Sequence, residues 1–209
     1  MTLDDMLALS PVVPVVTIHD EGHAVPLAQA LLDGGIPVIE VTLRTQASLE
    51  AIRRIASAVR GMTVLAGTVS SAAQVDASLR AGAAGLVSPG LTERLAMAVE
   101  AAGAAWLPGV ATASDIRRGL ELGRSRFKLF PAKVAGGVEA LRAFAGPFPD
   151  LRFCPTGGVD AASAVQYLAL PNVACVGGSW IAPDAAIAAG DWASIRTAAR
   201  SAAALRPAG

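Results

Sequence analysis

Only two lysines occur in this 209-residue chain, Lys128 and Lys133, both within the stretch RFKLFPAK, while fifteen arginines carry the rest of its positive charge. Arginine serves wherever a surface cation suffices, but its guanidinium stays protonated and cannot become a carbon-attacking amine. A lysine kept in such a chain is therefore a candidate nucleophile. The two differ in setting. Lys128 falls between Phe127 and Leu129 in an apolar run, where burial disfavours the ammonium and favours the neutral amine. Lys133 follows Pro131-Ala132 and opens the glycine-containing stretch KVAGG, where water keeps it charged as a rim cation. A neutral amine attacks a ketone to form a Schiff base and an ammonium does not, so Lys128 is the candidate.

Glu40 raises the complementary question. It sits in PVIEVTL between Ile39 and Val41, where an ionised group is costly unless it is paired or functional. Glu40, Thr42 and Arg44 share one parity, so on a strand they share one face. Polar residues end the other apolar runs too: Thr68 after TVLAG, Ser88-Pro89, Phe130 on the Lys128 face, Thr156-Gly157-Gly158, and Gly177-Gly178-Ser179. The glycine pairs are either plain turns or backbone cradles for a phosphate, and GGSWIAP reads as the opening of a short extra helix beside them.

The elements that must position these residues repeat eight times. Apolar runs begin at Val12, Pro37, Thr63, Ala84, Ala105, Arg126, Arg152 and Ala174, about 21 to 26 residues apart. Between them lie Ala-, Leu- and Arg-rich stretches of helical period, such as SLEAIRRIASAVR. Nearly continuous apolar strands suit a parallel sheet covered on both faces, and eight βα units favour a (β/α)₈ TIM barrel over a doubly wound sheet. The expectation is a single domain over 1–209, with LDDMLALS as a short helix ahead of the first strand and an Ala- and Arg-rich last helix with a frayed end. In such a barrel the C-terminal strand ends form the active site, which is where the polar residues fall.

Composition narrows the partners. A formal net charge of zero argues against a nucleic-acid footprint or a membrane-surface patch. The uncharged window Ala161–Pro183 is long enough to span a bilayer, but Pro171, Asn172 and Gly177-Gly178 interrupt it; it reads as a helix end, a turn and a buried strand. Cys154 and Cys175 lack zinc-type spacing and read as small core residues, which with the acidic start MTLDDM points to the cytoplasm. No set of metal ligands is evident.

Taken in order, GGIPVIEVTLRT, AGTV, SPGLTE, PGVAT, FKLFPA, RFCPTGGV and GGSW resemble the bacterial 2-keto-3-deoxy-6-phosphogluconate aldolase family along nearly the whole chain. The resemblance implies a class I aldolase with a (β/α)₈ fold, usually a homotrimer, that splits its sugar acid into pyruvate and glyceraldehyde 3-phosphate without a metal or other cofactor. It implies Lys128 as the Schiff-base former, Glu40 as the general acid/base, Arg44 on the pyruvate carboxylate with Thr68 nearby, and Phe130 and Pro89 as pocket walls. Thr156, Gly157, Gly158, Gly178 and Ser179 would take the phosphate end. Some relatives carry an arginine just after the first strand, whereas this chain runs through Thr17 and Ile18 to His19. A sister specificity, for the galactonate epimer or for 4-hydroxy-2-oxoglutarate, shares the chemistry; a phosphate-binding isomerase barrel that uses Lys128 only as a cation does not.

Overall fold

Most βα units resolve into a short strand and a following helix, and the computed structural model describes residues 1–205. A five-residue helix α1 (Leu3–Leu7) precedes β1 (Val12–Val16), α2 (Ala24–Asp33), β2 (Val38–Thr42), α3 (Ser48–Ala58), β3 (Thr63–Gly67) and α4 (Ala72–Arg80). Then follow β4 (Gly85–Val87), α5 (Glu93–Ala101), β5 (Trp106–Leu107), β6 (Gly109–Val110), α6 (Ala113–Glu121), β7 (Arg126–Leu129) and α7 (Gly137–Ala145). The chain ends through β8 (Arg152–Phe153), α8 (Ala161–Leu168), β9 (Val176–Gly178), α9 (Asp184–Ala189) and α10 (Trp192–Ala203). The fray expected after the last helix reaches into 206–209, outside the described residues.

The architecture is α/β, with all strand pairs parallel. Six strands form one half-barrel sheet in the order β5-β4-β3-β2-β1-β9, and β6-β7-β8 form a second. Eight apolar runs thus give nine strands among the described residues, because the fifth is interrupted at Pro108. Proline has no N–H to donate to a ladder; its carbonyl still accepts from the Lys128 amide at 2.8 Å. Isolated parallel bridges, Phe153 to Val173 and Thr156 to Gly177, run between the β8 and β9 segments.

Strand parity divides the core in two. Val12, Pro14, Val16 and Ile18 alternate with the half-buried Val15 and Thr17, which open onto a cavity. Similarly, Phe127 and Leu129 are fully buried on one face of β7, with Phe127 6.2 Å from the Phe153 ring, and Lys128 points to the other face. At the N-terminal strand ends the expected short helix is present. Its Met6 is buried so closely over Gly85 that a Cβ there would lie 2.8 Å from the sulfur, and Asp4 pairs with Arg126 at 2.6 Å. The Ala161–Pro183 window is a helix, a turn and a buried strand, and among the described residues no helix is long and apolar enough to cross a membrane.

Candidate active site

The parity of β2 and β7 brings the two groups singled out by burial face to face. Lys128 Nζ donates to Glu40 at 2.9 Å (Oε1) and 3.3 Å (Oε2), with both side chains almost wholly buried, 6% and 4% exposed. The opposite charges stabilise one another where each alone would be costly. The pair is also made by an absence. A Cβ on Gly67, next to β2 in the sheet, would overlap Glu40 Oε1 and lie 2.7 Å from its Cγ, so only glycine leaves space for the carboxylate. Lys128 Nζ also stands 5.2 Å from the Phe130 ring centroid, a cation–π distance.

Above this pair opens a cavity of about 550 Å³ at the C-terminal strand ends. Val15, in register with Glu40, lines it along with Thr17, Arg44, Phe130, Thr156, Gly157, Gly158, Gly178 and Ser179. Arg44 rides on a clamped loop: Ser48 Oγ donates to the Thr42 carbonyl at 2.8 Å, and Thr45 Oγ1 donates to the Ile18 carbonyl at 2.5 Å. Among the described residues its guanidinium has no carboxylate within ion-pair distance, leaving it available to an anion in the cavity.

At the far end, Gly157 (φ 96°) and Gly158 (φ 75°) adopt left-handed backbone that a side chain resists. The Ala132 and Lys133 amides bind the carbonyls of Thr156 and Gly157 at 2.7 and 3.1 Å, while among the described residues the amides of Gly157, Gly158 and Ser179 donate to no protein acceptor. Gly177 and Gly178 leave room for Thr156 and for the Trp180 ring, which a Cβ on each would overlap. Lys133 is exposed and lays its stem over Gly158.

One expectation is revised. The helix beside the last glycine pair does not open at GGSWIAP; it begins at Asp184 after Pro183, whose fixed φ suits the entry to a helix. Thr68 and Pro89 follow the ends of their strands and, like Lys128 and Glu40, are not among the residues lining the cavity. Thr68 is a β-branched residue at φ 62°, a costly conformation held by its surroundings. Sequence reasoning passed over Gly67 and Thr17, whose roles depend on the pairing of β3 with β2 and on the Thr17–Thr42 contact, which no single stretch of sequence shows.

Behind the ion pair, Cys154 and Cys175 are buried free thiols, as expected of core residues. The neighbouring Cys175 thiol, and then the Lys128 charge, draw the Cys154 pKa below its ordinary value, while Cys154 and burial push that of Cys175 up. Among the described residues no cluster of His, Cys, Asp and Glu could hold a metal ion.

The model of the KDPG and KHG aldolase family matches residues 3–198. The chain is 50% identical over 198 residues to the 2-dehydro-3-deoxy-phosphogluconate aldolase of Pseudoalteromonas atlantica, covering 95% of this chain and 92% of that one. It superposes with a TM-score of 0.94 on the 2-keto-3-deoxy-6-phosphogluconate aldolase of Zymomonas mobilis, solved with 3-phosphoglycerate, at 47% identity over 99% and 97% of the two chains. On the KDPG aldolase of Legionella pneumophila, captured with pyruvate as a covalent carbinolamine, the TM-score is 0.95 at 41% identity over 98% and 99%. With a match reaching from the first helix into the last, this chain belongs to the KDPG and KHG aldolase family.

Proposed function

We propose that the chain is a class I aldolase cleaving 2-keto-3-deoxy-6-phosphogluconate into pyruvate and glyceraldehyde 3-phosphate through a Schiff base on Lys128. The observation that carries this is the buried pair. A proton moving along the 2.9 Å contact from ammonium to carboxylate leaves a neutral amine and a carboxylic acid with no change in net charge, so the nucleophile and its acid are made together.

Lys128 Nζ then attacks the C2 ketone, and the Glu40 acid supplies the proton with which the carbinolamine oxygen departs as water. The resulting carboxylate takes the proton of the C4 hydroxyl. The C3–C4 electrons flow into the iminium, glyceraldehyde 3-phosphate leaves, and the enamine of pyruvate remains on Lys128. Protonation at C3 and hydrolysis free pyruvate and the amine. Arg44 clamps the keto acid's carboxylate, a positioning role that lowers the barrier by fixing orientation. The amides of Gly157, Gly158 and Ser179, with Thr156 and Gly178 around them, hold the phosphate. Thr68 and Pro89 support the pocket from the adjoining strand ends, and Phe130 walls it. The phosphate cradle favours the phosphorylated substrate over 4-hydroxy-2-oxoglutarate, whose second anion is a carboxylate.

The same reading takes the two sheets as a single closed (β/α)₈ barrel and a single domain, its fifth strand split at Pro108. It includes a cytoplasmic homotrimer, which native mass would check. The decisive test of mechanism is borohydride reduction with pyruvate, followed by peptide mapping. The expected result is a pyruvate adduct on the Lys128 peptide; turnover without any adduct would favour the isomerase-type barrel, in which Lys128 is only a cation.

A further inference from the structure

We infer that Thr17 reads the C5 hydroxyl of the substrate and so sets the preference for a hydroxylated aldehyde. This rests on the reading that the keto acid is held on Lys128 and its phosphate at the glycine loops. β1 lies between β2, which carries Glu40, and β9, which ends at Gly178. On β1, Val15 is in register with Glu40. Thr17 is two residues further toward the cavity mouth, roughly 6.6 Å along the strand. It lines the cavity that Arg44, Thr156 and Ser179 also line. A carbon chain rising from the Lys128 nitrogen to the free amides of Gly157, Gly158 and Ser179 passes this level. With C2 at the amine, C4 at the Glu40 carboxylate and C6 carrying the phosphate, the carbon left for Thr17 is C5.

The hydrogen bonding of Thr17 fixes its polarity. Thr42 Oγ1 donates its only proton to the Val16 carbonyl at 3.0 Å. The 3.1 Å contact between Thr17 Oγ1 and Thr42 Oγ1 therefore uses the proton of Thr17. That leaves the lone pairs of Thr17 Oγ1 as acceptors with no donor among the described residues. A hydroxyl, which can donate, satisfies them; a deoxy carbon does not. Thr17 is thus a specificity residue that touches a carbon outside the bond being broken.

The test runs the reaction in the aldol direction, with pyruvate and either glyceraldehyde 3-phosphate or its analogue lacking the hydroxyl, 3-oxopropyl phosphate. Thr17→Val removes the acceptor while keeping a β-branched shape. The preference for glyceraldehyde 3-phosphate, as a ratio of kcat/KM values, should fall roughly 3- to 10-fold. Thr17→Ser, which keeps the oxygen, should restore it. An unchanged ratio in Thr17→Val, or an equal loss for both aldehydes, would overturn the inference, the second outcome indicating a merely structural role. Pyruvate trapping on Lys128 is measured alongside. Trapping with an unchanged ratio refutes only the role of Thr17, whereas no trapping in the parent enzyme removes the reading on which it rests.

Discussion

Two ion pairs in this molecule have nearly the same geometry and opposite meaning. Lys128 meets Glu40 at 2.9 Å with both side chains under a tenth exposed, and Arg54 meets Glu50 at 2.8 Å with 40% and 34% exposed. Contact distance is therefore no guide to what a pair does. At the surface water screens both charges, and the pair is worth little. In the interior each charge is tolerable only because the other is there, so removing one changes the protonation as well as the packing of its partner. Residue type follows the same division: the outer pair uses arginine, which holds its proton, and the inner one uses the chain's rarer lysine, which can release it.

The largest break in this comparison is Lys128→Arg. The cation and its pairing with Glu40 are retained, so the fold should persist, but guanidinium forms no imine under these conditions. Turnover should drop by at least about 10⁴-fold and borohydride trapping should vanish. Lys133→Arg, on an exposed residue, should leave trapping intact. Recovery of the adduct on the Lys133 peptide would overturn the assignment of the nucleophile.

Next in size is Glu40→Gln. The amide fills the same space and still accepts a hydrogen bond, but it cannot exchange protons, so turnover should fall about 10² to 10⁴-fold while pyruvate still binds and is slowly trapped. Equal turnover in parent and variant would mean another base serves the reaction.

Gly67→Ala tests the same pair through its neighbour. The new methyl would lie 2.7 Å from Glu40 Cγ and 2.9 Å from Cδ, so the carboxylate must move away from Lys128. Overpacking of this kind costs about 1–3 kcal/mol of stability, and a displaced proton donor should lower kcat by about 10- to 100-fold. A crystal structure of the variant with Glu40 unmoved would refute the idea that this glycine clears the site.

The contrast between the pairs also explains what the sequence made readable. A charge inside an apolar run is a conflict visible in one dimension, and it marked both Lys128 and Glu40 without any knowledge of what lay opposite. The βα beat was equally plain, because each unit carries its own periodicity. What could not be read depends on register between strands. That Gly67 stands beside Glu40, and that Thr17 faces Thr42, follows from pairing that no single run encodes. The split of the fifth strand did have a local sign in Pro108, as the start of α9 had in Pro183; in both places the hydrophobic pattern spoke for continuity and the proline for a break. The free amides of Gly157, Gly158 and Ser179 emerge only when every carbonyl near them has been given a partner.

The smallest expected effect is Glu50→Gln, and it completes the comparison from the exposed side. Hydrogen bonds from Arg53, then Arg54, hold the Glu50 carboxyl at about 2, well below its ordinary range. A carboxyl depressed in the folded state contributes stability that is fully present above its unfolded value of about 4.3 and is lost as the pH falls through about 2. Parent and variant should therefore differ slightly in melting temperature at neutral pH and low salt, converge as the pH approaches 2, and converge at neutral pH when salt is added, because screening acts on exposed charges. Turnover should be the same in both. A difference in melting temperature that persisted in high salt would show that the outer pair is held more like the inner one than its exposure implies.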